Sequence, residues 1–511
     1  MAGEVGRDVA ELSAVGDDGF VELGPALFDV GGDPCGDGGA DLRAGVVGHV
    51  RHDGLSKQAR RGRPACRADL RLMFPYVRVM ILPGSWAAVL EPCRPVFKRR
   101  GTFVVFTVLA TGLVAATGRR SVVGMLAGAR MAQQVSFHAA CRFFSSAVWD
   151  IDRLGLIVAR LIVTRLLGPG EPITVVIDDT LFKRWGRQVW HAFWTHDGAA
   201  QGGKKIARGN RWVIAGIVVW LPFCTAPVCL PVLLRLWAGK ATTSPVELAA
   251  QMLALIIAAF PDRDVHGVGD AAYHGRPLLV PGTTWTTRLP ANACLFDTAP
   301  PRTGRRGRPA LKGRRLGRPA ALATAAAWQR TAVYRYGRIE TAHLAQVTCI
   351  WYGSFGNTSG RCVLVRELGS TNAYDLALFT LDHTATPEQI VERYAMRWSI
   401  EPANAVGKQQ VGVGQARNRV KNAVERTVPF GMLIQSLVVV WYALHGHHPH
   451  DAHDRRLAQP WYRTKTEPSF EDMITKLRKT LIVARFTPAS PAQPNPDQLH
   501  DYALACAAAA A

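Results

Sequence analysis

Between residues 121 and 167 the apolar positions recur three and four apart, which places them on one face of a helix. The stretch "SSAVWD" interrupts this pattern, and residues 79–170 read as a small helical, DNA-binding domain edged by Arg99, Arg119, Arg120, Arg130 and Arg142. The periodicity then changes. "PITVVIDDT" (172–180) is a β-branched run ending in two aspartates and predicts a central strand. "RWVIAGIVVWLPF" (211–223) and "CLPVLLRLWAG" (229–239) predict two more strands in hairpin succession. "SPVELAAQMLALIIAAF" (244–260) has a Ser N-cap, a Pro in its first turn and a helical apolar stripe. "DVHGVGDAAY" (264–273) is a short strand that again closes on an aspartate.

Beyond residue 285 the pattern turns irregular. "PPRTGRRGRPALKGRRLGRP" (300–319) holds eight Arg or Lys in twenty residues and reads as an exposed basic loop. Strand-like "RTAVYRYGR" and "AHLAQVTCIWYG" follow, then buried-strand patterns in "RCVLVREL" and "YDLALFTLD". Thr-Pro-Glu at 386–388 opens a helix through "ERYAMRWSIEPANAVGK" (392–408), and a second long helix spans 423–446. Strands alternating with helices predict an α/β fold. Its mixed-sheet core takes residues 171–285 and 365–450, split by a basic loop and β-rich insertion at 286–364. Residues 451–511 form a C-terminal helical tail.

Composition changes this picture at two places. Residues 1–50 carry ten acidic and two basic side chains and twelve glycines without periodicity, the composition of a disordered tail. Residues 1–78 are expected to be a disordered or non-native extension, read through from an upstream start. The whole chain is at +22, leaving +30 for the other 461 residues, which points to a polyanion such as nucleic acid. The longest apolar runs (103–116, 213–223, 432–444) fall short of the roughly 20 residues of a membrane span, so no membrane partner is expected. Ten cysteines without a C-x-x-C pair predict reduced thiols in a cytoplasm.

The candidate chemistry is carboxylate. Strand alternation puts Val175, Ile177 and Asp179 on one face and Asp178 on the other. Asp179 is the expected ligand, with Asp178 bracing its neighbours. Asp270 closes a second strand. At 100° per residue, Tyr394, Arg397, Glu401 and Lys408 share one side of a helix. Asp179, Asp270 and Glu401 are hard oxygen donors suited to Mg²⁺ or Mn²⁺, and two such ions can activate a nucleophile and stabilise the leaving oxygen of a phosphodiester. Tyr394, Arg397 and Lys408 would meet DNA phosphates. Lys183, Arg184, Arg187, Lys204 and Lys205 are expected along the DNA path, with Arg305, Arg306, Arg308, Lys312, Arg314 and Arg315 in the basic loop.

The spacing Y-x2-R-x3-E-x6-K of Tyr394, Arg397, Glu401 and Lys408 resembles the signature of a large group of bacterial insertion-sequence transposases with a DDE active site. "VIDDT" and "GDAAY" resemble that group's first and second aspartate motifs, and the likeness covers about residues 80 to 505. It implies a ribonuclease-H-like core with a β-rich insertion between the second Asp and the Glu. It also implies Mg²⁺ held by Asp179, Asp270 and Glu401. The implied reaction is cleavage at terminal inverted repeats, then strand transfer into target DNA by a homodimer. A nuclease without strand transfer and a catalytically impaired repressor are the alternatives.

This chain departs from the pattern twice. Pro402 follows Glu401 and predicts either a kink in the helix, the favoured reading, or a new helix starting at Pro402 with the stripe only approximate. "NAVGK" lacks the acidic residue that relatives place shortly before the lysine. Gly-Arg-Pro recurs at 62–64, 307–309 and 317–319, which suits a basic loop against DNA, while "HGHHPHDAH" (445–453) reads as a polar loop.

Overall fold

Five helices come first among the described residues: α1 (Gly84–Leu90), α2 (Arg100–Ala115), α3 (Val122–Ala129), α4 (Phe137–Ser145) and α5 (Ile151–Leu166). Their starts follow from local chemistry. The side chains of Ser121, Ser136 and Asp150 each accept the amide N–H three residues ahead, capping α3, α4 and α5. The break at "SSAVWD" is the α4–α5 turn. Arg426 holds it by donating to the carbonyls of Phe144, Ala147 and Trp149. The computed structural model describes residues 82–198, 200, 205–301 and 308–486, all within one compact unit. Residues 1–78, the first Gly-Arg-Pro, Lys204, Arg305, Arg306 and the end of the tail lie outside the described residues.

The sheet begins with β1 (Ile173–Lys183), β2 (Phe193–His196), β3 (Ile206–Val219) and β4 (Val228–Trp237). After α6 (Pro245–Ala259), started by a Ser244–Glu247 capping box, come β5 (Val265–Gly269) and β6 (Thr283–Arg288). Across the sheet the order is β4-β3-β1-β5-β6. β1, β5 and β6 run parallel, and the β1–β3 and β3–β4 pairs are antiparallel. β2 pairs with the start of β3. This mixed topology is consistent with a ribonuclease-H-like fold.

The β-rich segment comprises β7 (Leu295–Phe296), β8 (Arg315–Gly317), α7 (Pro319–Thr324), β9 (Gln329–Arg335), β10 (Arg338–Ile350), α8 (Tyr352–Phe355), β11 (Ser359–Glu367) and β12 (Leu376–Thr380). It does not stand apart as an insertion. β12 pairs antiparallel with β6, and β11 and β10 follow, so the same sheet continues outward. The boundaries expected at 285/286 and 364/365 fall inside β6 and β11. An open β6 edge would leave backbone donors and acceptors unpaired, and β12 supplies their partners.

The remaining helices are α9 (Pro387–Ala395), α10 (Ile400–Gln409), α11 (Lys421–Trp441), α12 (Asp451–Ala458) and α13 (Phe470–Phe486). α9 seals a small core of its own, where Ile390, Val391 and Tyr394 pack with Val268, Val333, Val363 and Leu378. The main core runs from Trp86 on α1 to Leu481 on α13 and includes the faces of β1, β3 and β4. The helical N-terminal segment therefore shares its core with the sheet. The helix around 432–444 is longer than the apolar run implied: residues 421–446 are long and apolar enough to cross a membrane, though 83% of the most apolar window is buried inside the protein. It packs against α5, α4, β4 and α13 as a core helix.

Candidate active site

β1 and β5 bring two aspartates side by side. Their parallel register ends at Ile177 opposite Gly269, so Asp178 and Asp270 are the next residues on adjacent strands. The close approach here depends on glycine. A side chain at Gly267 or Gly269 would stand 2.4 or 2.6 Å from the Trp285 ring. Asp270 is fixed by its own backbone: its carboxylate accepts the Ala272 amide (2.9 Å) and its carbonyl accepts the Thr287 hydroxyl (2.5 Å).

The two faces of β1 separate Asp178 from Asp179. Phe182 shares the Asp178 face by alternation, and Lys408 of α10 reaches over its ring at 5.6 Å. Asp179 faces the other way. Arg211 of β3 donates to it at 2.6 Å while lying over Trp237 and reaching Thr195. Both aspartates line the rim of one cleft of about 570 Å³ with His196, Asp197, Arg211, Glu401, Asn404 and Lys408.

Glu401 arrives on the third element. The helix expected through 392–408 is interrupted by a 3₁₀ turn at Met396–Ser399, and α10 restarts at Ile400. Pro402 then sits in the first turn of a new helix, where an amide donor has no intrahelical partner to lose. The kink expected at Pro402 is thus replaced by a change of helix type before it. Arg397 still reaches Glu401 (3.1 Å) and lies near the Tyr394 and Trp398 rings.

The charges in this region act on one another. Burial, followed by the neighbouring Asp179 and Asp270 carboxylates, pushes Asp178 up to about 7, against the opposing Asp179 amide and Arg397. Burial raises Tyr394, with Asp270 adding to the rise and Arg397 and Arg288 opposing it. Burial lowers Lys408, and Lys183 lowers it further, while Asp197 and Asp178 work the other way. The hydroxyl of Tyr273 is buried beside all three aspartates without a hydrogen-bond partner. Among the described residues no three His, Cys, Asp or Glu side chains are gathered closely enough to hold one metal ion. Neither Asp179 nor Asp178 is therefore gathered with Asp270 and Glu401 into a formed ligand set: Asp179 is turned to Arg211 and Glu401 to Arg397.

The other expected DNA contacts divide. Arg184 is buried, donating to Asn210 and to the carbonyls of Gly414 and Ala416; it ties the end of β1 to the loop after α10 and does not face a DNA path. Tyr394 is also buried, at 8% exposure, and its ring belongs to the α9 core. Lys183 is exposed and pairs with Asp197 (3.0 Å). Arg308, Lys312, Arg314 and Arg315 are exposed, with Lys312 over the Phe296 and Tyr352 rings at 4.0 and 4.5 Å. Arg211, Tyr273 and Asp197 are not singled out by the sequence pattern. Tyr273 lies in "GDAAY", but Arg211 acquires its position only through the β1–β3 register.

Compared with curated proteins, the chain has no match. Residues 92–346, which contain both aspartate motifs and end before Glu401, match the family model of the DDE superfamily endonucleases. The mixed sheet and that match together support a DDE-type transposase family for this chain, an enzyme family acting on phosphodiester bonds.

Proposed function

We propose that this protein is a transposase that cuts DNA at the terminal inverted repeats of its element and joins the freed 3′-hydroxyl to target DNA, acting as a homodimer that pairs two ends. The observation that carries this reading is the adjacency of Asp178 and Asp270 on parallel strands, on the sheet face over which α10 lays Lys408. In this reading Asp178 takes the ligand role expected of Asp179, and Asp179 becomes the partner of Arg211.

The donor set fits a hard divalent ion. Asp178, Asp270 and Glu401 offer only carboxylate oxygens, and the buried Tyr273 hydroxyl awaits an acceptor such as an ordered water. Mg²⁺ or Mn²⁺, as one or two ions on these three residues, would supply an activated nucleophile and a stabilised leaving oxygen. Glu401 must release Arg397 to join the set, and the freed guanidinium then faces the phosphate backbone with Lys408. Asp197, which attracts both Lys183 and Lys408, aligns two cations along the cleft.

The test is Mg²⁺-dependent nicking and joining of DNA bearing the element's ends, comparing wild type with Asp178→Asn, Asp270→Asn and Glu401→Gln. Expected is cleavage and joined target product from wild type alone. Cleavage without joined product would favour the nuclease reading, and binding without cleavage by wild type the repressor reading.

A further inference from the structure

Two tryptophans, Trp185 just after β1 and Trp194 on β2, are largely exposed. Trp185 is 91% exposed and Trp194 is 69% exposed. Indole is the side chain with most to gain from burial, so an isolated pair on a polar surface marks a contact. The two are placed by one residue. Trp194 on β2 lies opposite Arg208 on β3, and the Arg208 guanidinium donates to the carbonyls of Gly186 (2.7 Å) and Arg187 (2.9 Å). That clamp holds the turn carrying Trp185 on the sheet face that presents Trp194.

This is also the face of Asp178. Arg208 and Asn210 alternate along β3 on one side, Asn210 is opposite Phe182, and Phe182 and Asp178 alternate along β1. His196, two residues beyond Trp194, lines the cleft itself. The surroundings are cationic. Among the described residues of 183–210, Lys183, Arg187, Lys205 and Arg208 reach the surface against one acid, Asp197, which is buried and paired with Lys183. Arg187 and Lys205 are exposed, and Lys421 lies over the Trp190 ring at 5.7 Å.

We infer that Trp185 and Trp194 form a stacking platform for unpaired DNA bases next to the cleaved phosphodiester, an inference that rests on the proposed DNA-cleaving function. Duplex DNA hides its base faces, and Lys and Arg suffice to hold its backbone. Exposed indoles beside cations fit a single strand, whose bases offer aromatic faces whatever their sequence.

The experiment measures binding of labelled oligonucleotides by anisotropy to wild type, Trp185→Ala, Trp194→Ala, the double alanine variant and Trp194→Phe. Three probes are used: a blunt duplex, the same duplex with a forked end, and a single strand. Each alanine should weaken forked and single-stranded binding about 5- to 150-fold and leave the duplex unchanged, with Phe largely restoring affinity. Thermal melting checks that each variant is folded. Equal losses on duplex and fork, or no loss on either, would overturn the platform. So would alanine variants that change only the oligomeric state, which would assign the indoles to a second copy of the chain. Wild type that neither binds nor nicks duplex DNA would instead overturn the proposed function, whatever the alanine variants do on single strands.

Discussion

Asp178→Asn removes a charge that the folded protein tolerates poorly. Burial and two neighbouring carboxylates raise the Asp178 pKa from 3.8 to about 7. Each pK unit corresponds to about 1.36 kcal/mol, so ionised Asp178 costs the metal-free fold at most about 4 kcal/mol. The direction in pH follows. A carboxyl whose folded pKa lies above its unfolded one loses stability as pH rises from near 4 to near 7, and the penalty is complete above 7. Asparagine keeps the shape without the charge. In EDTA at pH 8 the variant should therefore melt higher than wild type. At about 2.1 cal/mol/K per residue over roughly 400 folded residues, the gain is about 4–5 °C at most. The difference should vanish at pH 4, and saturating Mg²⁺ should stabilise wild type more than the variant, because an ion bound only by the folded state adds to its stability. Cleavage should be abolished. Asp179→Asn is the contrast: it breaks the 2.6 Å pair with Arg211 and should lower the melting temperature instead. Differential scanning fluorimetry and nicking on the same samples decide the matter. If Asp178→Asn cleaves normally while Asp179→Asn is dead, the assignment of the strand-end ligand is wrong.

Arg184→Ala should destabilise the protein by about 3 kcal/mol, since it strands the buried Asn210 and two partly buried carbonyls, and should leave the salt dependence of DNA binding unchanged. Neutralising Lys312, Arg314 and Arg315 together should do the reverse, flattening the log–log salt slope by about 0.9 for each DNA phosphate left without its cation, with stability intact. Gly267→Val should fail to fold or show several kcal/mol less stability in denaturant titration, because its Cβ would stand 2.4 Å from the Trp285 ring. Burial alone would raise Asp382, but Arg393 and the Ala385 and Thr384 amides outweigh it and hold this carboxylate well below its usual range. Its contribution is present above about pH 4 and fades as pH falls below that, so the acid limb of the stability curve should flatten in Asp382→Asn.

Much of the secondary structure is legible from short-range pattern. The β-branched runs form β1, β3 and β4, and the Ser244 and Thr386 signals form the capping boxes of α6 and α9. Pro402 does signal a break, yet its resolution as a 3₁₀ turn ahead of the proline depends on how Tyr394 and Ile400 pack, which no local rule contains.

The sequence alone determined that acidic residues end two strands and that a third rides a helix with Arg397 and Lys408, because strand and helix periods are properties of the local backbone. It also determined that Asp178 and Asp179 must point apart. Which of them shares the face that Lys408 of α10 crosses was decided only by the tertiary structure, for a sheet has two faces and the chain's period of two does not say which a later helix will cover. The same holds for Arg184, basic in sequence and buried in the fold, and for Arg211, brought to Asp179 by strand pairing across 32 residues of chain.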